Sequence, residues 1–161
     1  MTYDIPSRTG TALQPDTLLR LAEHPRIVAN KDAKGDLAAA TMVMAGSDLA
    51  YYSGDDALTL PLLACGAVGV VSVTGHLVAD RIAAMMASYD AGAVGDARDL
   101  HAELAPVTVE VMTRMQGAVA VKTVLARTGV LPHATVRLPL VGASPEQADQ
   151  LTLRLDKAGV R

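Results

Sequence analysis

The sequence lacks several residue types that mark large classes of protein. Its 161 residues include one cysteine, no tryptophan and no phenylalanine. Because Cys65 has no second cysteine in the chain, an intrachain disulfide is excluded, and a reducing compartment, the cytoplasm, is predicted. Residues 1–5 also lack the basic and apolar segments of a signal peptide.

Charge is scarce as well, and neither sign dominates. The chain has 14 lysines and arginines against 17 aspartates and glutamates, which gives a net charge of −3. Without a basic patch, no nucleic-acid partner is predicted. Residues 57–79 are nearly free of charge, but Pro61 and several glycines interrupt them, which favours a buried helix and strand over a membrane span. We find no metal-ligand spacing and no glycine-rich phosphate loop, so neither a metal nor a cofactor is predicted.

The first ninety residues alternate short apolar runs with helical patterns. Half of the chain is hydrophobic, enough for one domain with a sizeable core. Continuous apolar runs are typical of parallel strands whose faces are both covered. We therefore predict an α/β region over residues 1–90. Its strands are expected at 1–5, 27–29, 49–52 and 70–73, and its helices at 15–21, 37–44, 57–64 and 77–89.

Residues 91–161 show no convincing strand and are predicted to form a helical extension. Helices are expected at 96–115, 118–128 and 144–159, the last with Ser144 as N-cap and Pro145 at its first turn. A parallel sheet of four strands has two edges, and the apolar first strand makes a poor edge. We therefore expect a further strand before residue 1.

Candidate functional groups follow the carboxyl ends of the predicted strands, where catalytic groups of parallel β/α folds gather. Lys31 is the foremost of them. A lysine amine shielded from water is a nucleophile that can form a Schiff base with a carbonyl compound. The alternative is a lysine whose amine reaches solvent beside Asp32.

Three further candidates lie in the neighbouring strand-end loops. The phenol of Tyr3 can move protons during imine formation, or it can be a core tyrosine. Arg8 can hold a carboxylate with its forked guanidinium, or it can be a solvated loop residue. Gly54 marks either a close approach of the backbone to a ligand or a simple turn. His76, which follows the fourth strand, is interpreted as a residue of a helix start.

Three segments together resemble one enzyme family. The chain resembles the second half of the dihydrodipicolinate synthase/N-acetylneuraminate lyase family. The resemblance lies in three segments, in this order and spacing: YDIPSRTG, IVANKDAKGDL and YYSGDDALTLPLLACGAVGVVSVTGH. The resemblance implies the C-terminal half of a (β/α)8 TIM barrel, with about four βα units, followed by a C-terminal helical extension. It also implies a class I aldolase that condenses pyruvate with aspartate semialdehyde in lysine and diaminopimelate biosynthesis.

The resemblance assigns roles to particular residues. Lys31 corresponds to the Schiff-base lysine that captures pyruvate, and Tyr3 to the tyrosine of the proton relay. Arg8 corresponds to the residue that holds the carboxylate of aspartate semialdehyde, which favours the synthases over the sialic acid lyases. Gly54 and Val71 match positions that line the pyruvate pocket, Val71 through its main-chain carbonyl.

The chain departs from the family in length. Family members are about twice as long, and the first four βα units are not in this sequence. With them are missing a Gly-Thr-Thr-Gly-Glu stretch that recognises pyruvate and a second relay tyrosine. The implied partner is therefore either the N-terminal half-barrel or, as for many such enzymes, further copies in a homo-oligomer. A non-catalytic half-barrel module and a pyruvate-dependent aldolase acting on a sugar acid are the alternatives.

Overall fold

The computed structural model describes residues 1–160, which divide by their contacts into two compact units. The first unit is Met1–Ser72, and the second runs from Val73 onward. The predicted boundary between residues 90 and 91 concerns folding domains and stays a prediction. The elements of the first unit are β1 (Thr2–Asp4), α1 (Pro6–Thr9), α2 (Pro15–Ala22), β2 (Ala29–Asp32), α3 (Leu37–Ala45), β3 (Ala50–Ser53), a 3-10 turn (Asp56–Leu58), α4 (Thr59–Cys65) and β4 (Gly69–Val70).

The four strands form a parallel sheet in the order β1-β2-β3-β4. Helical segments connect each strand to the next one and return the chain to the edge of the sheet where parallel strands begin. The alternation in the sequence predicts these connections. The register aligns Tyr3 with Lys31, and Lys31 with Tyr52. Because β1 and β4 each pair on one side only, the sheet has two open edges.

One face of the sheet packs against helices and holds the core of the first unit. Tyr51 on β3 is 1% exposed, and its ring lies among apolar side chains of α2, α3 and α4. Since side chains alternate between the two faces of a strand, the residues next to Tyr51 point to the opposite face. The members of this core are Leu18, Ala40, Val43, Leu49, Tyr51, Leu62 and Ala67.

Local sequence sets the helix boundaries of the first unit. Asp36 is the N-cap of α3, since its carboxylate accepts a 2.9 Å hydrogen bond from Ala39 N. Asp55 caps the 3-10 turn by accepting a hydrogen bond from Ala57 N at 2.9 Å. Gly66 ends α4 with φ of 113°, a left-handed conformation that glycine adopts without a Cβ clash.

The second unit is helical. It consists of α5 (Gly75–Asp90), α6 (Val94–Thr108), a π-helical turn (Val109–Thr113), α7 (Gly117–Arg127) and α8 (Pro145–Lys157). Ser144 caps α8 in a capping box with Gln147. The backbone hydrogen bonds of Glu146 and the Ser144 hydroxyl lower the pKa of the Glu146 carboxyl. No helix within residues 1–160 is both long and apolar enough to cross a membrane.

The structure differs from the expected elements at several ends. The second strand, Ala29–Asp32, begins two residues and ends three residues later than expected, so it includes Lys31. The fourth strand, Gly69–Val70, begins one residue and ends three residues earlier than expected. The helix expected at 96–115 changes to π-helical geometry after Thr108. The single turn α1 was not predicted.

Candidate active site

A lysine and a tyrosine meet on the face of the sheet that is opposite the core. Tyr3 and Lys31 are in-register neighbours on β1 and β2. The Lys31 Nζ lies 4.0 Å from the centroid of the Tyr3 ring, where a cation is attracted by the ring's negative face. Tyr3 is 47% exposed, so it is not a core tyrosine. Lys31 is partly buried and extends from the middle of its strand rather than from its last residue.

Gly54 makes room for Lys31. Its backbone N–H donates a 2.6 Å hydrogen bond to Asp32 O, which draws the end of β3 against the end of β2. A Cβ at this position would lie 3.0 Å from Lys31 Cε, and equally close to Ala33 Cβ and Asp32 O. The absence of a side chain at Gly54 therefore leaves space for the lysine stem and the Asp32 carbonyl. Close approach of this backbone to a ligand stays a prediction.

Replacing Gly54 with alanine is expected to move Lys31 out of position. The added methyl group overlaps both the lysine stem and the Asp32 carbonyl, so the strand ends must shift by several tenths of an ångström. The family resemblance implies that Lys31 captures pyruvate, and we expect Gly54→Ala to reduce that capture at least about tenfold, given that sub-ångström misplacement is costly for bond formation. Borohydride trapping in the chain completed with an N-terminal half-barrel measures the effect. Gly142→Ala is the matched control, because a Cβ there meets no atom within 4 Å, and equal capture by both variants would contradict the packing argument.

Arg8 and Val71 flank this pair on neighbouring elements. Arg8 lies on α1, the exposed turn that follows β1. Val71 follows β4 and is 38% exposed, and its N–H donates to Ser53 O at 2.8 Å. Thus the structure brings Tyr3, Lys31 and Gly54 into direct proximity, while Arg8 and Val71 occupy the adjoining strand-end loops.

Among the described residues, the Asp32 carboxylate forms no ion pair with Lys31. This carboxylate is 1% exposed and points to the helix-covered face. There Oδ1 accepts from Lys34 N at 2.8 Å, and Oδ2 accepts from the Tyr51 hydroxyl at 2.7 Å. Burial raises the pKa of Tyr51, and the hydrogen bond to the Asp32 carboxylate raises it further, so the phenol remains a proton donor.

The sequence interpretation missed a set of buried polar residues behind the site. Asp4, Asp32 and Ser53 align across the sheet one residue after the Tyr3–Lys31–Tyr52 row, and each is at most 1% exposed. The signal was present in the sequence, since polar residues directly after the candidates must point to the other face of their strands. Among the described residues, no group of three or more His, Cys, Asp or Glu side chains could hold a metal ion.

Parallel strands alternating with helices, with functional side chains near the carboxyl ends of the strands, are typical of β/α barrels. The family model of the dihydrodipicolinate synthetase family matches residues 1–158. The chain belongs to this family. Its fold is the C-terminal half of a (β/α)8 TIM barrel followed by helices, which confirms the predicted fold class.

Individual relatives agree with this family. A 4-hydroxy-tetrahydrodipicolinate synthase of Kineococcus radiotolerans is 52% identical over 160 residues, which are 99% of this chain and 52% of that protein. A second, from Streptomyces coelicolor, is also 52% identical and is covered to 53%. The crystal structure of a chloride-inhibited dihydrodipicolinate synthase from Acinetobacter baumannii in complex with pyruvate superimposes with a TM-score of 0.89 at 32% identity, covering 99% of this chain and 55% of that one. The chain thus spans about half the length of the curated relatives it matches.

Proposed function

We propose that this chain supplies the Schiff-base half of a 4-hydroxy-tetrahydrodipicolinate synthase, which condenses pyruvate with aspartate semialdehyde. The observation that carries the proposal is the amine of Lys31 held beside the Tyr3 phenol in a space that Gly54 leaves open. The pyruvate complex of the Acinetobacter relative, whose fold this chain shares, supports pyruvate as the first substrate. A cytoplasmic location follows from the same proposal.

The chemistry follows from the groups at hand. The neutral amine of Lys31 attacks the keto carbon of pyruvate, and loss of water gives an imine. Loss of a methyl proton turns the imine into an enamine, whose carbon attacks the aldehyde carbon of the second substrate. Tyr3, whose ring centroid lies 4.0 Å from the Lys31 amine, is the proposed carrier of the proton during imine formation.

Arg8 is proposed to select the second substrate. It lies on the turn that follows the Tyr3 strand and is exposed, so its guanidinium is available to a ligand on the same edge of the sheet. A planar fork of donors suits a carboxylate, which aspartate semialdehyde has and a simple aldehyde lacks. Gly54 and Val71 are proposed to line the pyruvate pocket, with the Val71 carbonyl turned to the ligand.

Arg8→Ala should weaken the use of aspartate semialdehyde more than the capture of pyruvate. A bidentate, charge-assisted contact contributes on the order of 2 kcal/mol, or roughly 30-fold in kcat/KM for the aldehyde. The assay is condensation by the chain completed with an N-terminal half-barrel, run in parallel with borohydride trapping of pyruvate. Arg20→Ala, an exposed arginine on α2, is the matched control.

The same assay separates the alternatives. An equal loss with both substrates would mean that Arg8 supports its loop rather than the ligand. Turnover of a sugar-acid aldehyde in place of aspartate semialdehyde would assign another pyruvate-dependent aldolase. If the completed wild-type protein neither traps pyruvate nor turns over, the chain is a non-catalytic half-barrel module and the proposal is wrong.

A second half-barrel is part of this proposal. The sheet has open edges at β1 and β4, and Tyr3 and Val71 are exposed on or beside them. The remaining length of the relatives corresponds to the strands that would close such a sheet. We propose that an N-terminal half-barrel, whether covalently joined or supplied by another chain, completes the pocket, and that the completed protein forms homo-oligomers.

A further inference from the structure

A largely buried ion pair of Asp4 and Lys34, on the helix-covered side of the sheet, binds the end of the loop that bears Arg8. The Lys34 ammonium lies 3.1 Å from Asp4 Oδ2, and the two side chains are 13% and 1% exposed. Among the described residues, Asp4 Oδ2 receives no well-directed hydrogen bond, so its charge is compensated chiefly by this ammonium. Such a pair, withdrawn from water, is costly to break by removing one partner.

Both members of the pair also bind the backbone of the same residue. Asp4 Oδ1 accepts a 3.1 Å hydrogen bond from Leu13 N, and Lys34 Nζ donates a 3.1 Å hydrogen bond to Leu13 O. The segment from Ile5 to Ala12, which includes Arg8 on α1, therefore follows β1 and is followed by Leu13. The N–H and C=O groups of Leu13 are both hydrogen-bonded to the ion pair. The ion pair is thus a clamp that closes this loop on itself.

The clamp is tied to the lysine strand as well. Asp4 O accepts from Ala33 N at 2.8 Å, and Asp32 Oδ1 accepts from Lys34 N at 2.8 Å. Lys34 thus joins three pieces of backbone: the end of β1, the turn after β2, and the far end of the Arg8 loop. A shift of Lys34 changes the distance between the Arg8 loop and the strand that presents Lys31.

We propose that Asp4 and Lys34 are positioning residues that hold the Arg8 loop in register with Lys31 and so set the affinity for the second substrate. The inference rests on the proposed function of Arg8. We call the face of the sheet that carries Tyr3 and Lys31 the pocket face. Asp4 follows Tyr3 on β1 and therefore points to the opposite, helix-covered face, where Lys34 pairs with it. Their effect on the reaction therefore passes through the loop and not through contact with substrate.

The charges and the hydrogen bonds of the clamp are separable by substitution. Lys34→Gln removes the ammonium and leaves the buried Asp4 carboxylate without compensation. Asp4→Asn leaves the ammonium unpaired in the same way. In the double variant both side chains are neutral, the Asn oxygen accepts from Leu13 N, and the Gln amide donates to Leu13 O. The double variant should therefore recover what each single variant loses.

The test compares these variants in the completed enzyme. There, we expect Lys34→Gln to speed amide hydrogen exchange at Leu13 about tenfold and the double variant to restore it. In the chain completed with an N-terminal half-barrel, we expect the KM for aspartate semialdehyde to rise about tenfold in each single variant, with pyruvate trapping on Lys31 unchanged. Lys157→Gln, at an exposed lysine of α8, is the control.

Each result decides the point. A KM that stays at the wild-type value in Lys34→Gln, or a double variant as impaired as the singles, would overturn the clamp. Equal loss of pyruvate trapping and aldehyde use would show a general structural role and would also overturn it. If instead the completed wild-type enzyme traps pyruvate but ignores aspartate semialdehyde, the proposed function fails, and the exchange rate of Leu13 still reports whether the clamp exists.

Discussion

Pyruvate and borohydride are expected to leave a stable adduct on Lys31 in the completed barrel. The imine forms on a neutral amine, and Lys31 is the lysine beside Tyr3 on the pocket face of the sheet. Hydride reduction then fixes the carbon–nitrogen bond, so that the protein gains the mass of pyruvic acid less one oxygen atom. Intact-mass measurement followed by peptide mapping locates the adduct.

Substitution of Lys31 should abolish this adduct and with it turnover. Loss of the covalent intermediate removes the whole nucleophilic pathway, so we expect Lys31→Ala to lower kcat by at least about a thousandfold. Lys122→Ala is the matched control, since the Lys122 ammonium donates to the Thr135 carbonyl at 2.8 Å and lies on α7, outside the sheet. An adduct mapped to Lys34 or Lys122, or a Lys31→Ala variant that still traps pyruvate, would exclude the assignment.

The parts of the fold that were predictable are those set by local interactions. Asp36 and Ser144 cap helices through hydrogen bonds that span three residues, which a reader of the sequence can anticipate. The alternation of apolar runs with helical patterns likewise gave the parallel sheet. Tyr3, Lys31 and Gly54 come close together because parallel strands place their carboxyl ends on one edge of the sheet.

The strand limits were less predictable because tertiary contacts decide them. Asn30 and Asp32 disfavour a strand by composition, yet both are fully buried in β2. Asp32 is stabilised there by the hydroxyl of Tyr51, and Asn30 accepts from the Thr2 hydroxyl at 2.8 Å. These partners are 19 and 28 residues away in the chain, so no local pattern could reveal them.

The Asp4–Lys34 clamp lay outside sequence reasoning for the same reason. Lys34 lies in a glycine-containing turn, where a lysine is usually solvated. Asp4 directly follows the candidate Tyr3, and nothing in the local sequence marks it as a second functional residue. Only the parallel pairing of β1 with β2 brings the two together. The expectation that functional groups gather at the carboxyl ends of parallel strands identifies side chains on the pocket face. It does not identify the residues on the opposite face that hold those strand ends in position.

The chain by itself is expected to show little or no synthase activity and to self-associate. Its sheet leaves backbone groups of β1 and β4 unpaired at the two edges, which are templates for further strand pairing. On the pocket face, Tyr3 is 47% exposed and Lys31 is only partly buried, so water reaches the site. Without a pocket that excludes water, an imine formed on Lys31 is open to hydrolysis.

An N-terminal half-barrel should reverse both properties. Co-expression with the first half of the Kineococcus radiotolerans relative, which is 52% identical where it overlaps this chain, supplies strands that can pair with β1 and β4 and cover the pocket face. We expect light scattering to show a defined assembly in place of heterogeneous aggregates, and a coupled assay to show condensation at least about a hundredfold above the chain alone. The Lys31→Ala chain in the same co-expression is the control, because it should assemble without turnover. A chain that is a stable monomer with full turnover on its own would show that the pocket is complete without the second half, since the shielding of Lys31 would then come from these residues alone.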